Sequence, residues 1–124
     1  MKPRLALSLG ALLMAAVVAL GAFGAHALRG RITPDRLAVW QTAVNYHTWH
    51  ALGLLAAGVL MLHFPQRAAI GYAAWLFVAG IALFSGSLYA LALGGSNLLG
   101  LVTPFGGAAF IAGWLVLAYA FLRG

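Results

Sequence analysis

Four histidines, a single side-chain carboxylate and no cysteine bound the chemistry open to this 124-residue chain. His47 and His50 stand three residues apart, and Tyr46 precedes His50 by one helical turn, so all three share a broad face of a helix. With His26 brought alongside from an earlier helix, three imidazoles could ligate zinc, copper or haem. Ser85, Ser87 and Tyr89 add hydroxyls that could complete a polar site. The HxxH spacing is common, however, and neither a thiolate nor a second carboxylate reinforces it. The simpler account is that His, Tyr and Trp anchor helix ends and hydrogen-bond across helices. It is the account preferred here, with no catalytic residue, metal ligand or cofactor assigned. Ser85 and Ser87 flank Gly86, a pattern that suits close helix packing with hydroxyls returned to backbone carbonyls. A nucleophilic serine would need an activating base held beside it. Gly106-Gly107 lacks the Lys-Ser/Thr that follows in a phosphate-binding loop. Asp35 alone can form neither a carboxylate pair for hydrolysis nor an intramembrane acidic relay.

The elements that must position these residues follow from where charge is missing. Only 6% of residues are charged, 65% are hydrophobic and the mean hydropathy is +1.02. A water-soluble domain needs a charged surface, so this composition indicates a membrane protein. No Lys, Arg, Asp or Glu occurs in 5–28, 37–66 or 68–122, and the last stretch can hold two crossings joined by a turn. The expected fold is all-α: one domain, 1–124, of four transmembrane helices in an up-down bundle. Helices are expected at about 5–28, 46–64, 68–93 and 104–122, with a short amphipathic, interfacial helical lead-in from 34. Gly30 is suited to stop the first helix. Thr33-Pro34 and Thr103-Pro104 each read as a capping threonine followed by proline at the first helical position. Lys2, Arg4 and Ala25-His26-Ala27 imitate a secretory signal. The uncharged run is nevertheless longer than the roughly 7–15 residues of a signal's apolar core, so the helix is expected to be retained.

The net charge of +6 comes from basic residues scattered at segment ends, where they meet headgroups. The expected partner is the lipid bilayer, with a homo-oligomer or another membrane protein as further candidates. No basic patch with interleaved aromatics exists, so no nucleic acid is expected. Lys2, Arg4, Arg67 and Arg123 outnumber Arg29, Arg31 and Arg36, which favours cytoplasmic termini. Alternating helices bring His26, the stretch Asn45 to His50, the stretch Ser85 to Tyr89 and Thr103 to one face. His26 and His50 are therefore expected within reach of each other or of Ser85, Ser87 or Tyr89. The Thr103 hydroxyl is expected to cap a free backbone N–H.

The segments GAFGAHAL, WQTAVNYHTWHAL, LFSGSLYAL and VTPFGGAAFIAGW resemble, in order and across nearly the whole chain, the small four-helix membrane family called domain of unknown function 423. Animal transmembrane protein 256 is a relative of that family. The resemblance implies a bacterial inner-membrane, multi-pass protein, and the basic C-terminal tails of its members imply cytoplasmic termini. Here the tail is short, with Arg123 alone. His26 and His50 match the GAFGAH and HAL motifs, whereas His47 stands where relatives often carry another polar residue. The family carries no established activity. The expectation is a non-enzymatic integral membrane protein whose outer-half His/Ser/Tyr cluster is structural or receives a small ligand. The alternatives are a small transporter or channel subunit, and a metal- or haem-binding subunit of a membrane oxidoreductase. Internal bonding of the cluster would favour the first reading, and a water-filled cavity the second.

Overall fold

Thr33 and Pro34 start a helix as their chemistry dictates. The Thr33 side chain accepts from the Arg36 backbone N–H at 3.2 Å, and Pro34 takes the first turn, where its missing N–H costs nothing. No proline or glycine interrupts the chain until Gly53, so the helix does not break where its polar lead-in ends. In the computed structural model, which describes residues 1–123, Pro34–His63 is one uninterrupted helix, α2. The amphipathic lead-in expected from 34 and the segment expected at 46–64 are thus turns of one helix. At about 1.5 Å per residue α2 is about 45 Å long, which places His50 near its middle rather than at its start.

Around α2 stand α1 (Pro3–Phe23), α3 (Ala68–Gly80) with its continuation α4 (Gly86–Ala92), and α5 (Thr103–Leu122). Two segments of wider π-helix extend the rods. Gly24–Leu28 continues α1, and Ile81–Ser85 joins α3 to α4 without a break. Gly30, at φ +83°, ends the first rod as expected, and Gly94, at φ +95°, turns the chain after the third. A 3-10 turn, Asn97–Leu101, leads directly into α5. There are thus four helical rods, and no strand among the described residues beyond an isolated bridge between Arg29 and Ile32. Among the described residues three rods, Pro3–Leu28, Ala68–Ala92 and Asn97–Leu122, are long and apolar enough to cross a membrane.

Small residues decide the packing. Gly10 lies against Leu55, Gly58 against Leu7 and Gly24 against the Trp40 indole, so α1 and α2 run in opposite directions. Gly106 lies against the Phe84 backbone, Gly80 against Phe110 and Gly113 against Phe77, which fixes the same relation between the α3–α4 rod and α5. Where hydrocarbon surrounds helices, close backbone approach and dispersion replace the hydrophobic effect as the force between them. The buried core is accordingly rich in alanine. Ala6, Ala57, Ala74 and Ala120 pack with Leu54, Met61 and Ile70 at the end that holds the chain termini. Val17, Leu28, Trp40, Val44 and Ala92 pack at the opposite end.

Candidate functional site

The polar residues singled out in the sequence divide into a connected group and one outsider. His26 falls in the first π segment and is exposed, away from the hydrogen bonds that join the others. The expectation that it joins His50 is corrected. Two features keep it away: Gly24 and Leu28 take the buried side of that turn, and Gly24 is pressed against Trp40, about 15 Å along α2 from His50. The inward polar role at this end goes instead to Trp40, whose Nε1–H donates to the Leu20 carbonyl at 2.9 Å.

His50 is buried, at 4% exposure, and both ring nitrogens are engaged. Nδ1 lies 2.7 Å from the Tyr46 carbonyl, which can only accept, so Nδ1 carries the proton. Nε2 accepts from the Trp114 indole N–H of α5 at 2.9 Å. The ring is therefore the neutral Nδ1–H tautomer with no lone pair free. Phe110 stacks on it at 3.5 Å with an 11° interplanar angle, and Phe77 of α3 approaches at 5.6 Å. His50 thus braces α2 against both α3 and α5. The expected partners were Ser85, Ser87, Tyr89 or His26; the observed one is Trp114. Its sequence signal was the indole N–H itself, a donor that needs an acceptor wherever water is absent.

One turn earlier, His47 faces the third rod, where its Nδ1 lies 2.9 Å from the Tyr89 hydroxyl. Its Nε2 is buried without a hydrogen-bond partner among the described residues. Tyr89 also packs on Trp40, 4.7 Å between ring centres. Tyr46 contributes its carbonyl to His50 and its ring to Phe84, at 4.6 Å.

The serines close the second π segment. Ser85 is fully buried and donates to the Ala43 carbonyl of α2 at 2.9 Å. Ser87 lies 2.9 Å from the Phe84 carbonyl and 2.6 Å from the Thr103 hydroxyl, which in turn is 3.3 Å from the Leu99 carbonyl. Two hydroxyl protons cannot serve all three contacts. The shorter pair gives the order Thr103 to Ser87 to the Phe84 carbonyl. Thr103 therefore ties α5 to α4 and does not cap a helix end. Helical backbone already precedes it, and the residue before α5 is Val102, also helical and without a capping bond. Ser96 performs the expected task upstream by accepting from the Leu98 N–H at 3.2 Å. Pro104 keeps its expected place in the first turn of α5.

Taken together, the cluster supplies interhelical bonds with few unused atoms. Among the described residues no three His, Asp, Glu or Cys side chains converge as metal ligands, and the three-imidazole arrangement is not assembled.

Apolar rods joined by short turns, with polar side chains bonded to neighbouring rods, define a helical membrane protein. The chain belongs to the family described as Protein of unknown function (DUF423), whose model matches residues 20–107. It is 45% identical over 115 residues to the UPF0382 membrane protein YwdK of Bacillus subtilis, covering 93% of this chain and 94% of that one. A UPF0382 membrane protein of Staphylococcus haemolyticus is 46% identical over 114 residues, 92% of each chain. One from Staphylococcus aureus USA300 is 44% identical over 117 residues, 94% of each. These names state a membrane location and no activity. No solved structure matches the chain.

Proposed function

We propose that this is a non-enzymatic, four-crossing integral protein of the bacterial inner membrane, with cytoplasmic termini, whose His50-centred cluster braces the helices. The observation that carries the structural role is the full engagement of His50, both of whose nitrogens are spent on protein partners. The transporter and cofactor readings draw less support, because Ser85, Ser87 and Thr103 also spend their hydroxyls internally.

The fourth crossing is α2. Its mean hydropathy is depressed by histidines that turn inward, while Trp49, Leu52, Val59 and Leu62 form an exposed apolar face. A helix of about 45 Å exceeds the hydrocarbon thickness of about 30 Å, so its polar first turns extend into the headgroup region. The absence of cysteine makes labelling clean. Single cysteines at Arg31→Cys and Gln66→Cys should react with an impermeant maleimide from opposite sides, Gln66→Cys from the cytoplasm. Labelling of both from one side would remove α2 from the bilayer and overturn the four-crossing reading.

A further inference from the structure

The opposite end of the molecule holds a feature that the cluster does not use. A cavity of about 350 Å³ opens beside Arg67, bounded by Met1, Met61, Tyr72 and Trp75 among others. On the other side of Arg67 a second, of about 300 Å³, lies between Ala68, Tyr119 and Arg123. The Arg67 guanidinium is held between the rings of Phe64 and Phe121, 5.3 and 5.0 Å from their centres. One of its Nη atoms donates to the Ala120 carbonyl, whereas Nε is buried without a partner among the described residues. A guanidinium offers five N–H donors in a rigid fork, so most of this one is left to a ligand.

The surroundings add positive charge and no side-chain acid. Helix α3 begins at Ala68, which lines both cavities, with no acidic residue in its first turn and no side-chain cap, so its positive dipole end lies beside them. Arg123 lines the second cavity with its guanidinium bonded to the Tyr119 hydroxyl at 3.1 Å. The chain's one side-chain carboxylate, Asp35, sits in the first turn of α2, at the far end of that helix. Tyr72 and Trp75, which line the first cavity, are exposed one and two turns into α3, and Trp and Tyr are favoured where a bilayer's headgroups begin.

We propose that Arg67, Arg123 and the start of α3 form a binding site for a phosphate group, carried on the headgroup of an anionic phospholipid. Phosphate supplies the several acceptor oxygens that this donor set lacks, and the aromatic flank suits the glycerol and first acyl carbons. A basic pocket between helices at the membrane surface is the geometry that retains such headgroups. The site is independent of what the His50 cluster does.

The test is native mass spectrometry of the detergent-purified full chain with phosphatidylglycerol, phosphatidylcholine or inorganic phosphate. Phosphatidylglycerol should bind at least about ten-fold more tightly than phosphatidylcholine, a difference of about 1.4 kcal/mol. Arg67→Gln and Arg123→Gln should each reduce that preference, and Arg36→Gln, at the other end, should leave it intact. Should Arg67→Gln fail to fold, the exposed Arg123→Gln decides alone. Equal binding of the two lipids, a preference that survives in Arg123→Gln, or an equal loss in Arg36→Gln would overturn the proposal. Saturation by inorganic phosphate with no lipid preference would assign the site to free phosphate and overturn the lipid assignment.

Discussion

His50 and Arg67 are both nitrogen-rich side chains enclosed by aromatic rings, yet their donors are used in opposite ways. His50 lies in mid-helix between Phe110 and Phe77, gives its one proton to Tyr46 and receives one from Trp114. Arg67 lies at a helix end between Phe64 and Phe121 and has a buried Nε without a partner among the described residues. His50 is buried among side chains of three helices, where a polar atom left without a protein partner costs free energy. Arg67 is only partly buried and lines two open cavities, so solvent or a ligand can serve the donors that protein leaves unspent. His47 is intermediate: it is as buried as His50, yet only Nδ1 is paired. On the reading proposed above, full pairing goes with bracing at His50, and unspent donors beside an open cavity go with recognition at Arg67.

The sharpest way to break that comparison is to remove the brace. His50→Ala should cost about 3 kcal/mol, because it opens a cavity against Phe110 and strands the Trp114 N–H. Thermal unfolding in detergent checks this, and elemental analysis should show the same metal content in parent and variant. A metal lost along with the imidazole would reverse the assignment of His50 from brace to ligand. Gly106→Ala should cost about 2 kcal/mol, since its new Cβ would be driven into the Phe84 backbone, which cannot rotate away. Its partner rods should then loosen around Ser87 and Thr103 while phospholipid binding at the Arg67 end persists. Loss of both together would show that the two regions are coupled.

The smallest effects separate two threonines that look alike in sequence. Thr33→Ala removes a capping bond and should cost about 1 kcal/mol. Thr103→Ala removes one hydroxyl pairing between helices, worth about 0.6 kcal/mol in membrane proteins. Replacement by Ser should restore stability at both positions. If Thr103→Ala costs as much as Thr33→Ala while Ser87→Ala costs nothing, the pairing with Ser87 is not what Thr103 contributes.

Those threonines also show how far local sequence reaches. Both precede proline, and both prolines do occupy first turns, because proline fixes its own φ wherever it stands. Whether the threonine caps depends on what precedes it. Ahead of Thr33 the chain is extended and its hydroxyl is free to turn to Arg36; ahead of Thr103 a 3-10 turn already occupies the backbone. Similarly, the polar residues of 46–50 could be placed on one helical face from spacing alone. Their partners could not, since those depend on how far each rod slides and rotates against its neighbour.

By itself, the sequence determined the membrane class, the helical rods and most of their ends, because hydropathy, charge, glycine and proline act on the residues that carry them. The tertiary structure alone decided that His26 turns outward and that Trp114 rather than a serine meets His50. It also decided that Arg67 lies between two phenylalanines from different turns of the chain. The physical reason is phase. Each π segment adds a residue to its turn and rotates everything beyond it by about 100°, so a face read from 3.6-residue spacing is lost after Gly24 and again after Ile81. Which helix face meets which neighbour is then settled by glycine contacts between rods, a property of pairs of segments that neither segment encodes alone.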